Sequence, residues 1–147
     1  MRVDDIDSLP DGMLKDQIKA KTKGSTGKSS KRSDFEHELQ KKACEYMKLQ
    51  YPALENRFFA IPNGGARNPV TGAKLKAEGV LAGVWDLFLS VPKGQYGGCW
   101  IETKWGKNTL TDTQKAFRKA NKDDYYFFVY RDLDTFIEKI TYYLEEL

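Results

Sequence analysis

Asp86 stands in the run Val84-Trp85-Asp86-Leu87-Phe88-Leu89-Ser90-Val91, whose other members are apolar apart from Ser90. Read as a strand, that run is hydrophobic enough to lie centrally in a sheet. A carboxylate inside it is desolvated, at a free-energy cost that some partner must offset. The next apolar run, Cys99 to Trp105, carries a second anomaly: Glu102 and Lys104 stand at i and i+2 and therefore share one strand face. Residues paired in an antiparallel hairpin have numbers that sum to a constant. Pairing 86 with 102 centres the hairpin on Gly94, inside the turn-forming stretch Pro92–Gly98. That register sets the two carboxylates side by side, with Cβ atoms roughly 5 Å apart.

Carboxylates so opposed repel each other unless one is protonated or a cation lies between them. Mg²⁺ and similar hard cations take oxygen ligands, often one or two carboxylates together with water and substrate phosphate. With an ammonium group alongside, such a pair suits metal-assisted phosphodiester hydrolysis. In the competing reading Lys104 merely neutralises Glu102, and Asp86 accepts hydrogen bonds from a nearby loop. A domain that only binds nucleic acid is the third candidate, but it has no use for an acidic pair that repels phosphate.

The elements that must position these residues can be traced along the chain. Ser33-Asp34-Phe35-Glu36 fits a capping box with Ser33 as N-cap. Phe35, Leu39, Ala43, Tyr46 and Met47 then follow helical spacing to about Gln50, and Tyr51-Pro52 ends the helix. Arg57 to Ile61 reads as a short strand, broken by Pro62-Asn63-Gly64-Gly65. Residues 63–83 are rich in glycine and polar side chains, with a helical turn or two over Ala73–Glu78. After the two strands already named, Thr111-Asp112-Thr113-Gln114 forms a second capping box, opening a helix to about Asn121. Tyr125 to Tyr130 is a third core strand, its aromatics placed for packing rather than base stacking. Leu133, Phe136, Ile137, Ile140 and Tyr143/Leu144 mark a final amphipathic helix. The order αβββαβα is that of an α/β fold, a sheet with helices packed on it.

Glu36 is the N3 member of the first capping box and Gln114 that of the second. Other side chains carry two readings. Asn63, Gly64, Gly65 and Arg67 form an ordinary turn or a phosphate loop, in which glycines let backbone N–H groups approach closely and Arg67 grips bidentately. Lys74 and Lys76 contact a DNA backbone or lie on the polar face of a short helix.

Composition narrows the classes. The 147 residues are 40% hydrophobic and 31% charged, which suits one domain with a real core. The formal charge is only +3, and its excess lies in residues 1–33, with eight basic side chains against five acidic. The remainder is balanced, so any anion site there depends on local placement. Residues 1–32 read as a flexible basic leader, either a solvated tail or a nonspecific phosphate-binding arm; residues 33–147 read as the folded domain. Cys44 and Cys99 are too few for a disulfide framework, and one histidine, His37, cannot build a zinc site with them. A reduced, cytoplasmic setting is the expectation, with no membrane span.

The segments Pro62-Asn63-Gly64-Gly65-Ala66-Arg67, Gly72 to Leu87, Ile101-Glu102-Thr103-Lys104 and Gln114 together resemble the VRR-NUC family of the PD-(D/E)xK nuclease superfamily. The resemblance spans about residues 33–145, with Trp85 where the superfamily name has proline. It implies a restriction-endonuclease-like mixed β-sheet flanked by helices and Mg²⁺- or Mn²⁺-dependent DNA cleavage. Asp86 and Glu102 would ligate metal with the backbone carbonyl of Thr103, Lys104 would be the catalytic lysine, and Glu36 and Gln114 would complete the site. Small stand-alone members of this kind resemble phage-encoded nucleases acting as homodimers on branched DNA such as Holliday junctions.

Overall fold

A computed structural model describes residues 31–62 and 69–147. Most of the expected basic leader, and the loop residues Asn63, Gly64, Gly65 and Arg67, lie outside the described residues. Helix α1 (Lys31–Gln50) buries Leu39, Ala43, Tyr46 and Met47, as the spacing predicts. It is already running at Lys31, so Ser33 lies inside the helix and is not its N-cap. Its expected capping partner, Glu36, is drawn away by a tertiary contact described below. Pro52 lacks the N–H that would continue α1, and the chain turns into a 3₁₀ helix, Pro52–Arg57.

Four strands follow the order β1-β2-β3-β4: β1 (Phe58–Ala60), β2 (Leu87–Leu89), β3 (Cys99–Thr103) and β4 (Tyr126–Tyr130). Neighbours β1/β2 and β2/β3 are antiparallel, whereas β3/β4 is parallel. The parallel pair is joined by helix α3 (Asp112–Asn121), and helix α4 (Leu133–Glu146) closes the chain. Between β1 and β2 lies helix α2 (Pro69–Ala77), longer than the turn or two expected over Ala73–Glu78. This mixed sheet with flanking helices is a restriction-endonuclease-like α/β arrangement.

The β2/β3 register pairs Leu87 with Ile101, Phe88 with Trp100 and Leu89 with Cys99. Each sum is that of the expected 86/102 pair. A one-residue offset enters only near the turn, where Lys93 bridges Tyr96 and Gly94 takes φ +56°. Strand β2 is shorter than the expected Val84–Val91. The chain bends at Asp86 after Gly83 adopts φ +91°, so Asp86 sits at the mouth of the strand instead of mid-run. Backbone bonds still carry the β1/β2 pairing outward, Ile61 N–H to Asp86 O (2.8 Å) and Ser90 N–H to Arg57 O (2.6 Å).

Alternation gives the sheet two unlike faces. Leu87, Leu89, Cys99, Ile101, Phe128 and Tyr130 pack against α1 and α4 in the main core. Phe88, Trp100 and Phe127 point the other way, where Phe117 of α3 meets Trp100 edge-on at 5.0 Å and Phe127 at 6.0 Å. Glu102 and Lys104 follow Trp100 in the same parity, so the acidic pair belongs to this second face, beside α3.

Candidate active site

The mouth of β2 and the end of β3 bring Asp86 and Glu102 together. Asp86 N–H donates to Glu102 Oε2 (3.3 Å) and Thr103 N–H donates to Asp86 Oδ2 (3.1 Å). The two carboxyl groups are close enough to shift each other's protonation. Glu102 is 2% exposed. Burial first, and then the charge of Asp86, push its carboxyl up to about 9, against which Lys104 pulls only in part. The Asp86 carboxyl is likewise raised, by burial above all and also by the nearby Glu36, while the bonds from Glu102 and Thr103 oppose the shift.

Lys104 is itself buried, its Nζ 4.0 Å from Glu102 Oε1. The same oxygen takes a closer partner, Gln114 Nε2 at 2.9 Å. Glu102 is therefore gripped mainly by an amide, and the ammonium stands at its shoulder. The two readings of Gln114 hold together: Oε1 accepts from Thr111 N–H (3.0 Å) as the capping box requires, while Nε2 reaches Glu102. One side chain thus ties the start of α3 to the acidic pair. Trp85, the departure from the superfamily's proline, reinforces the tie by donating from Nε1 to Gln114 O (3.1 Å), with its fully buried ring against Phe127.

Glu36 comes from α1, on the far side of the sheet's end. Its Oε1 accepts from Trp105 N–H (3.2 Å) and Asn108 Nδ2 (3.1 Å), while Phe35 stacks on Trp105 with ring centroids 4.3 Å apart. Asn108 and the Trp105 amide are site residues that sequence spacing did not indicate; their partner is about seventy positions away. An open cleft of about 780 Å³ is lined by Glu36, Lys76, Asp86, Glu102, Lys104 and Gln114 among others. Lys74 is exposed on α2 and does not line it. Among the described residues no group of three acidic, histidine or cysteine side chains gathers round one point. What the cleft offers is a pair of carboxyls from adjacent strands, each accepting a backbone N–H from the other's strand, a donor set that fits a hard divalent ion completing its shell with water and phosphate oxygen.

Gly83 is where the cleft wall touches α3. A Cβ there would collide with the Thr113 carbonyl and lie 2.7 Å from Thr113 Cβ, at a φ that side chains seldom adopt. Gly83→Ala is expected to cost about 2 kcal/mol in urea denaturation. Gly79→Ala, at φ +99° but in open space, should cost less. Equal midpoints for the two variants would refute this account of the wall.

No family model and no curated protein matches the chain. Among solved structures, one described as a VRR_NUC domain protein is similar at 29% sequence identity and a TM-score of 0.63, over 74% of this chain and 87% of its own length. Among the described residues no helix is long and apolar enough to cross a membrane.

Proposed function

We propose that this chain, a relative of the VRR-NUC family and so of nuclease lineage, is a metal-dependent endonuclease that hydrolyses DNA phosphodiester bonds, with branched DNA such as Holliday junctions as its substrate. The observation that carries the reading is the contact between Asp86 and Glu102 beside the buried Lys104. Two acids held together in a buried place are costly in isolation, and a divalent ion between them removes the cost.

Asp86 and Glu102 would hold Mg²⁺ or Mn²⁺, joined by the Thr103 backbone carbonyl, with Glu36 within electrostatic reach. Such an ion supplies Lewis-acid polarisation of phosphate and a low-pKa water. The protein's own groups do the positioning. Thr103 N–H and Gln114 Nε2 lock the two carboxyls in orientation. Lys104 places positive charge where negative charge develops on the phosphate, in a site where burial strengthens it. Lys76 on the cleft rim is suited to an adjoining phosphate. Asn63, Gly64, Gly65 and Arg67 would supply a phosphate-binding loop; Lys74 adds long-range attraction only. Symmetric cutting of two strands by so small a domain calls for a homodimer.

The test is incubation of the full chain with four-way-junction and linear duplex DNA in Mg²⁺, Mn²⁺ or EDTA. Junction cleavage in either metal, with none in EDTA, is the expected result. Cleavage that persists in EDTA, or a chain inert in both metals, would end this reading.

A further inference from the structure

A second groove, of about 560 Å³, lies next to the cleft and has no part in the chemistry above. Lys115, Arg118 and Arg131 line it, and Leu110 and Val129 add apolar wall. Asp132 is the one acid in its lining, and that carboxylate is the N-cap of α4, accepting from Thr135 N–H at 2.7 Å. The cations are aligned by the fold. Lys115 and Arg118 stand at i and i+3 on α3 and so share a face. Arg131 follows β4, and its Nη1 is pinned to Gly106 O at 2.9 Å in the loop after β3.

Groove and cleft both border the start of α3: Thr109, Leu110 and Lys115 line the groove, Thr111, Thr113 and Gln114 the cleft. Lys104 N–H bonds to Tyr130 O (3.0 Å), so Lys104 and Arg131 leave the ends of adjacent parallel strands. Gln114, which touches Glu102, is followed directly by Lys115. Arg131 therefore leaves the sheet beside Lys104, while Lys115 and Arg118 lie on the helix that Gln114 ties to the candidate reacting centre.

We infer that this groove binds the phosphodiester backbone of DNA at nucleotides flanking the scissile phosphate, through Lys115, Arg118 and Arg131. The inference rests on the nuclease reading for the identity of the polyanion. An open groove with cations spaced along its wall suits a repeating chain of phosphates and provides no enclosure for a small anion. Each phosphate neutralised releases counterions and steepens the salt dependence of binding by about 0.9 in log–log slope.

The experiment measures binding of the full chain to a fluorescent four-way junction by anisotropy, in EDTA, across a salt series. Lys115→Ser/Arg118→Gln should weaken binding about tenfold at moderate salt and flatten the slope by between one and two, with its melting temperature unchanged. Lys115→Arg/Arg118→Lys should keep the wild-type slope. An unchanged slope in the Ser/Gln variant overturns the inference, as does an affinity loss without a slope change. Wild-type chain that binds with the expected slope yet fails to cut in metal sinks the catalytic reading and leaves the groove standing. Cleavage by wild type with no slope change in the variant does the reverse, and a chain with no salt-dependent DNA binding loses both.

Discussion

The Asp86→Asn substitution is expected to lower metal-dependent DNA cleavage by about 10³-fold, and Lys104→Ala by a comparable factor, while DNA binding persists in the lysine variant. Asparagine is close to aspartate in shape and can still accept the Thr103 N–H that Asp86 Oδ2 receives at 3.1 Å. The fold should survive, and the change removes half of the negative charge with which the pair would hold a divalent ion. Lys104 sits in a buried position, where an ammonium acts on a developing charge far more strongly than one in water. Rates are to be measured at saturating junction DNA, with thermal melting of each variant as the folding control. Near-wild-type turnover by a folded Asp86→Asn chain would exclude the pair from the chemistry.

Glu102→Gln should abolish cleavage and yet stabilise the metal-free protein at alkaline pH. The sign follows from the direction of the shift. The Glu102 carboxyl rises from an ordinary 4.5 to about 9 because burial and Asp86 disfavour its charge. A raised carboxyl leaves the folded state holding a proton that the unfolded chain has released. Stability is therefore fully present below about pH 4.5 and is lost as pH climbs towards 9, by at most about 1.4 kcal/mol per pH unit. Glutamine cannot ionise; its carboxamide N–H₂ can face the Asp86 carboxylate while its oxygen accepts from Gln114 Nε2. The long 3.3 Å bond from Asp86 N–H is then given up, at about 1 kcal/mol. The balance favours the variant by a few kcal/mol near pH 8 and reverses near pH 5. Mg²⁺ should raise the wild-type melting temperature more at pH 8 than at pH 5, because it competes with the proton, and should leave the variant nearly unmoved. Parallel melting-versus-pH curves for the two chains would contradict this account.

Much of the local architecture was legible because it rests on short-range rules. Alternation and the position of the Pro92–Gly98 turn dictate the β2/β3 register, and Leu87 does pair with Ile101. The Thr111 capping box was readable from four residues and forms as expected. Leu133 to Leu144 betrayed the apolar stripe of α4, and those side chains are buried. The Ser33 box failed because a capping signature competes with every other partner its glutamate can find. Glu36 found the Trp105 amide and Asn108 across the fold.

Residue types and spacing alone determined that an aspartate and a Glu-x-Lys pair come from adjacent strands in a register that opposes the two acids, since a hairpin allows few alternatives. They also pointed to an α/β fold, and the resemblance to the VRR-NUC family implied its nuclease type. Tertiary structure alone decided how deeply the pair is buried, that Gln114 serves the cap and Glu102 at once, and that Trp85 fastens α3 beneath it. It also decided that Arg131 joins Lys115 and Arg118 along one groove. These depend on which faces of separate elements meet, and helix-to-sheet packing is set by the sum of many weak contacts across the whole core. No spacing along the chain encodes that sum.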